Sequence, residues 1–385
     1  MFDKKLKDLQ GKGLLRKIDD REFRIDGASL PSATRMVIGG VEYINFSSND
    51  YLGLSASPLL AGTARKALNA FPFGAGASRL LAGGTGFHDK LEKTVAHFKE
   101  TEAALIFNTG YQANLSTIPA LAQEGDVIFS DELNHASIID GCRLSRAKKI
   151  IYNHRDLAHL SSLLPGEIGG RKIIVSDTVF SMDGDIAPVR ELYSLCSNIP
   201  DAILYLDDAH GTGVLGDGRG ALAQFDIRPQ PWIVQMGTFS KALGSFGAFV
   251  TGSREIVDWL INTARGFIFS TALPSCVVAA SAAAIEIIEK DKSIVEKLWR
   301  NQRRAVEGIG NAGFTIISGE TPIISVVVGD VAKTLAFSEE LKQRRIYAPA
   351  IRPPTVKTSR IRITVSAAHT EEDIEELLNA FSSLR

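Results

Sequence analysis

Residues 202–213 read Ala202-Ile-Leu-Tyr-Leu-Asp207-Asp208-Ala-His210-Gly-Thr-Gly213. The five apolar or aromatic residues do not alternate with polar ones, as expected of a strand buried on both faces. The abrupt passage into Asp, His and glycines marks its carboxyl end. An acid at that place is costly unless it meets a cation or a set of donors. The segment therefore calls for a positive partner elsewhere in the chain.

Six further runs have the same form: Ala103–Phe107, Val127–Phe129, Lys149–Tyr152, Lys172–Ser176, Ile233–Met236 and Gly247–Thr251. All are short, bounded by Gly, Asp, Asn or Ser, and separated by helical stretches. This pattern predicts an α/β fold around a mostly parallel seven-stranded sheet. After Ala280 a helical tract rich in Glu, Lys and Arg runs to about Ala312. Beyond it Phe314–Ile317, Ile323–Val328 and Arg360–Val365 read as strands, with Val331–Arg345 and Thr370–Leu384 as helices. The expected division is an N-terminal helical arm over 1–45, a large domain over 46–285 and a smaller α+β C-terminal domain over 286–385.

Composition narrows the function classes. The chain has 385 residues, 45% hydrophobic and 23% charged, which is ordinary for a globular protein. With 43 Lys+Arg against 44 Asp+Glu the net charge is -1, so no general field favours nucleic acid or anionic lipid. Cys142, Cys196 and Cys276 are scattered and form no C-x-x-C pair, so neither a disulfide framework nor a metal site is expected. The first residues, Met1 to Gly13, are charged and lack a secretory apolar core. The apolar tract Cys276–Ile288 is shorter than the ~20 residues of a bilayer span. A cytoplasmic protein is expected.

In doubly wound sheets ligands sit beyond the carboxyl ends of the strands. Leu80-Leu-Ala-Gly-Gly-Thr-Gly86 lacks the G-K-[ST] ending of a nucleotide P-loop, and no G-x-G-x-x-G follows the first strand. Asn108-Thr-Gly110-Tyr111-Gln-Ala-Asn114 follows strand Ala103–Phe107 and opens a helix, whose free N–H groups suit a phosphate, although such turns are also routine in α/β folds. Gly237-Thr238-Phe-Ser-Lys241-Ala-Leu-Gly-Ser-Phe-Gly247 sets one lysine among hydroxyls and glycines between two strands. Together these features describe a site for pyridoxal 5′-phosphate, with Lys241 making a Schiff base, Asp207 keeping the pyridine nitrogen protonated and a helix end taking the phosphate.

The chain resembles the α-oxoamine synthases of the fold-type I pyridoxal-phosphate enzymes nearly end to end. The motifs that carry the resemblance are Asn45-Phe-Ser-Ser-Asn-Asp-Tyr-Leu-Gly-Leu54, Gly74-Ala-Gly-Ala-Ser-Arg79, His135-Ala-Ser, Phe180-Ser-Met-Asp-Gly-Asp185, Asp207 to Gly213, Thr238 to Lys241 and Ile351-Arg-Pro-Pro-Thr-Val356. By that resemblance Lys241 holds the cofactor, Asp207 pairs with its ring nitrogen and His210 with its phenolic oxygen. His135 stacks on the ring and orients substrate. Gly110, Tyr111, Ser181 and Thr238 complete cofactor binding, while Ser270 and Thr271 reach the cofactor phosphate of a partner chain in a homodimer. The amino-acid carboxylate is expected near Arg352 or Arg362, with Asn49 and Thr355 close to substrate and Arg16 toward the acyl group. Arg362 is read as alternating with Arg360, so that only one face of their strand looks into the site. Val356-Lys-Thr-Ser-Arg360 is shorter than the family pattern, which unsettles the loop near Thr355.

Within the family the motifs are most like the branch of biotin biosynthesis that condenses L-alanine with a pimeloyl thioester, carried on coenzyme A or acyl carrier protein. Relatives using glycine with acetyl- or succinyl-CoA are the alternative. A non-catalytic partner subunit would lack the lysine.

Overall fold

The computed structural model describes residues 2–11, 15, 21–22, 32–167 and 169–384. Its first strands are β1 (Arg21–Glu22), β2 (Arg35–Ile38) and β3 (Val41–Asn45). Seven more follow: β4 (Ala103–Phe107), β5 (Val127–Asp131), β6 (Lys148–Tyr152), β7 (Lys172–Asp177), β8 (Ile203–Asp207), β9 (Ile233–Thr238) and β10 (Ala248–Gly252). These form one sheet in the order β4-β10-β9-β8-β7-β5-β6. Only β10 runs against its neighbours. Successive residues of one strand feed different cores: Leu204 and Leu206 face one, Ile203 and Tyr205 the other. Burial on both faces explains the unalternated sequence.

The C-terminal region has β11 (Thr315–Ile316), β12 (Ile323–Val327), β13 (Ile346–Tyr347), β14 (Ala350–Ile351) and β15 (Arg360–Thr364). An antiparallel sheet of order β11-β12-β15-β14 packs on helices Ser293–Asn311 and Glu371–Ser383. The expected helical tract divides into Ser275–Lys290 and Ser293–Asn311. Asp291 Oδ1 accepts the Ser293 N–H at 3.0 Å, a local bond that competes with helix continuation. The expected boundary at 285/286 falls inside the first of these helices.

The helical arm expected over 1–45 is a second difference. Asp3–Gly11 is helical, but β2 and β3 form a hairpin around Gly39 and Gly40, at φ 56° and 75°. Two consecutive positive φ values are those of a type I′ turn, which Gly-Gly supplies at little steric cost. Parallel pairing of β3 with β13 then carries the hairpin to the C-terminal region. Among the described residues no helix is long and apolar enough to cross a membrane.

Two buried charge clusters hold the loops beyond the sheet. Lys99 Nζ, at the end of helix Gly86–Phe98, donates to Asp208 Oδ2 at 2.7 Å, Thr212 Oγ1 at 3.3 Å and the Arg219 carbonyl at 2.7 Å. Asp208 Oδ1 takes the Thr178 hydroxyl at 2.7 Å and the Ala221 N–H at 3.1 Å. Both charged side chains are 1% exposed. The loop after β8 is thus tied from four directions.

His154 follows β6. Its Nδ1 lies 2.9 Å from Asp131 Oδ1 and its Nε2 2.7 Å from Asp185 Oδ2. Burial opposes a charge there, but the two carboxylates outweigh it and push the imidazole up to about 9. This imidazolium fastens the Phe180–Asp185 loop to the end of β5.

Lys99→Met is expected to destabilise the protein by roughly 3–5 kcal/mol, because it leaves the Asp208 charge buried without a cation. Urea unfolding checks this, and a loss below 1 kcal/mol contradicts the role. For His154 the folded value lies above the ordinary value of about 6.5. Its contribution is therefore complete below that value and is lost as pH rises toward about 9. His154→Gln is expected to cost on the order of 2 kcal/mol on the acid side of that window and almost nothing on the alkaline side. Unfolding measured on both sides checks it, and a pH-independent difference contradicts it.

Candidate active site

The carboxyl ends of β7, β8 and β9 share one edge of the sheet, with Asp177 opposite Asp207 and Asp207 opposite Met236 in register. The helix Gly110–Leu121 begins at the same edge. Between them lies a cavity of about 170 Å³ whose walls include Gly110, Tyr111, His135, Asp177, Ser181, Asp207, His210, Thr238 and Lys241. Eight of these nine are candidates read from the sequence; the ninth, Asp177, is not. The rule that found Asp207, an acid ending an apolar run, applies equally to Asp177.

Asp207 is 3% exposed. Its Oδ2 accepts from Asn114 Nδ2 at 2.7 Å and its Oδ1 from the Ala209 N–H at 3.0 Å. Burial pushes this carboxyl up, while Lys241 and these donors pull it back. Asp177 accepts the His135 N–H at 2.6 Å, and burial with Asp207 alongside raises it well above the usual range. Burial lowers the Lys241 amine to about 8, opposed by Asp207 and Asp177. His210 Nδ1 stands 2.6 Å from the Tyr51 hydroxyl, which burial pushes up to about 12 and so keeps protonated. His210 itself is held neutral by burial.

At the helix start Thr109 Oγ1 takes the Gln112 N–H at 3.0 Å. Among the described residues no partner occupies the Gly110 and Tyr111 N–H groups, which open on the cavity. Thr238 Oγ1 donates to the Gly247 carbonyl at 2.8 Å. The site thus combines a primary amine of lowered basicity, a carboxylate at a strand end, an imidazole and a helix N-terminus. An aldehyde cofactor with a basic ring nitrogen and a phosphate fits that set of donors.

Arg362 and Arg360 are two residues apart and so share a face of β15, contrary to the alternation expected for them. Both meet the Phe180–Asp185 loop. Arg362 Nε donates to the Ser181 carbonyl at 2.7 Å and a terminal nitrogen to Asn49 Oδ1 at 3.1 Å, whereas Arg360 pairs with Asp183. Arg352 instead lines a separate groove with Lys342 and Tyr347. Thr355 is exposed, its N–H bonded to the Arg352 carbonyl at 3.1 Å. Ser270 and Thr271 sit against the outside of the helix start rather than in the cavity wall: Ser270 Oγ takes Gln112 Nε2 at 2.5 Å and the Thr271 carbonyl takes Asn108 Nδ2 at 2.9 Å. Arg16 lies outside the described residues.

Comparison with known proteins agrees with this geometry. Residues 41–381 match the family model for aminotransferase class I and II. A protein of Thermodesulfovibrio yellowstonii, provisionally named 8-amino-7-oxononanoate synthase, is 52% identical over 100% of this chain and 97% of its own. The 8-amino-7-oxononanoate synthase of Thermoanaerobacter pseudethanolicus is 44% identical over 99% of this chain and 95% of its own. A solved structure of SPT with a PLP internal aldimine superposes with a TM-score of 0.90 at 29% identity, covering 100% of this chain and 97% of that one. The chain belongs to the class I and II aminotransferase family, and within it to the pyridoxal-phosphate-dependent α-oxoamine synthases.

Proposed function

We propose that this enzyme condenses L-alanine with a pimeloyl thioester, on coenzyme A or an acyl carrier protein, releasing 8-amino-7-oxononanoate, carbon dioxide and the free thiol. The observation that carries the reading is a lysine amine lowered to about 8 in one cavity with Asp207 and His135. The substrates are those of the relatives' reaction.

Pyridoxal 5′-phosphate, when bound, supplies a sink for the electron pairs left by the α-proton and by the departing carboxyl group. Lys241 is the residue that would hold it. Its amine, once freed, takes the α-proton and later returns one, because a value near 8 keeps both neutral and charged forms accessible. Asp207 keeps a proton on the ring nitrogen. His135 would cover the ring, His210 would face the phenolic oxygen, and the Gly110 and Tyr111 N–H groups with Thr238 and Ser181 would take the remaining polar contacts.

Arg362 is assigned the amino-acid carboxylate. It is buried, its neighbour Ser181 lines the cavity, and Tyr51 links its surroundings to His210. Arg352, in its separate groove, is not assigned the carboxylate; Thr355 is kept as a residue close to substrate and Arg16 as one toward the distal carboxylate of the acyl chain. A homodimer is part of the reading, with Ser270 and Thr271 serving the partner's cofactor. Large apolar side chains left exposed nearby support it: Phe269 and, across the Ser78–Thr271 bridge, Leu80 and Leu81.

Lys241→Ala is expected to abolish thiol release from pimeloyl-CoA with alanine while keeping the fold; turnover close to wild type would remove the residue from the reaction. With alanine, glycine and serine offered beside pimeloyl-, acetyl- and succinyl-CoA, alanine with pimeloyl-CoA is expected to react fastest. Glycine should be poorer by roughly 10–200-fold for one missing methyl. Faster release from glycine and acetyl-CoA overturns the substrates and leaves the family intact.

A further inference from the structure

Three polar side chains stand immediately behind or beside the cavity wall: Tyr205 on β8, Asn114 on helix Gly110–Leu121, and Ser137 on the helix that follows β5. Tyr205 and Asn114 are completely buried and Ser137 is 1% exposed. Their hydrogen bonds have one consistent direction. An ionised carboxylate only accepts, so Asn114 must turn its nitrogen toward Asp207 Oδ2, 2.7 Å away. Its oxygen then faces the Tyr205 hydroxyl at 2.7 Å, which donates to it. Burial raises that hydroxyl well above its ordinary value, so it keeps its proton.

The second amide proton of Asn114 goes to Ser137 Oγ at 2.8 Å. The Ser137 N–H, which can only donate, lies 3.3 Å from His135 Nδ1 and makes it an acceptor, so the Ser137 hydroxyl also donates to Nδ1, at 2.7 Å. Two donors on Nδ1 require its lone pair, so the ring proton lies on Nε2.

We propose that Asn114 is a positioning residue: one amide, held in direction by Tyr205, keeps Asp207 a hydrogen-bonded carboxylate and His135 its Nε2-protonated tautomer. The inference rests on the cofactor reading above. Neither Asn114 nor Tyr205 lines the cavity. Replacing them removes no cofactor contact and acts only through Asp207 and His135. The other groups that act on Asp207 are Lys241 and, when protonated, His135, which favour its charge, and Asp177 and Tyr205, which oppose it when ionised. Without Asn114 the carboxylate keeps, among the described residues, only the Ala209 N–H as a hydrogen-bond donor. Burial then favours its protonated form, and the ring nitrogen of a bound cofactor meets a weaker partner.

The test compares the full-length wild type with Asn114→Ala, Asn114→Asp and Tyr205→Phe. It reads the dissociation constant for pyridoxal 5′-phosphate and the pH dependence of the bound cofactor's visible absorption, alongside thermal melting of the cofactor-free proteins. Asn114→Ala is expected to weaken cofactor binding by about 10- to 100-fold, as for a lost hydrogen bond to a charged group. The acid limb of the absorption titration should move upward by about one pH unit. Asn114→Asp, nearly the same shape, should do at least as much because it sets a second carboxylate against Asp207. Tyr205→Phe should shift the limb in the same direction by less, and it decides the matter if the Asn114 variants do not fold.

Binding within twofold of wild type together with an unmoved limb, in a folded Asn114 variant or in Tyr205→Phe, overturns the proposal. Such a result beside a normal wild-type band leaves the cofactor reading standing. A wild type that takes up no pyridoxal 5′-phosphate sinks that reading and the proposal together.

Discussion

A charged carboxylate at the end of a central buried strand has no water to turn to, and the site is organised around that constraint. Beside Asp207 the sheet places a second acid, Asp177, in register. Two ionised carboxylates in such a place would each lose several kcal/mol to desolvation unless donors and cations compensate. The Asn114 amide, the Ala209 and His135 N–H groups and the Lys241 amine are that compensation. The same burial that makes the acids costly lowers the basicity of the lysine, so one environment prepares both the ring-nitrogen partner and the proton carrier.

One wall of the cavity, Ser181, is held from the C-terminal sheet. Arg362 on β15 reaches Ser181 and Asn49, and the Phe180–Asp185 loop is held between the two sheets by His154 on one side and by Thr321 on the other, whose hydroxyl donates to the Gly184 carbonyl at 2.7 Å. Gly184 has φ 75°, and a Cβ there would lie 2.2 Å from the Ile323 carbonyl oxygen. No larger residue fits without moving β12. Cofactor contacts and the proposed carboxylate contact thus come from different sheets across one loop.

Much of this was legible because central parallel strands write themselves as unbroken apolar runs, and because Asp207, His210 and Lys241 break those runs at places where burial is expensive. The hairpin at residues 35–45 is also written in the sequence, since Met36-Val-Ile-Gly-Gly-Val-Glu-Tyr-Ile44 carries β-branched residues around a Gly-Gly turn, although a helical arm is the expectation there. Arg360 and Arg362 share one face because the strand period is two, not the alternation expected of them. Asp177 could have been found by the reasoning applied to Asp207. Asn114 could not: its importance depends on which way its amide points, and that is set by Tyr205 and Ser137, far away in sequence. That Arg362 and not Arg352 meets Ser181 of the cavity wall is likewise a matter of tertiary packing.

The parallel pairing of β3 with β13 joins residues 44–45 to residues 346–347. During synthesis on a ribosome the hairpin emerges early and must wait through most of translation for its partner, while the seven central strands already have theirs. Closing so long a loop is slow relative to local pairing. Asn49 and Tyr51, which reach Arg362 and His210, follow directly on β3, and Ala367 anchors that segment by donating its N–H to the Tyr51 carbonyl at 2.7 Å. A nascent chain can therefore assemble the lysine and its acids well before it can assemble a complete site, and catalytic competence arrives only when the two ends of the polypeptide meet.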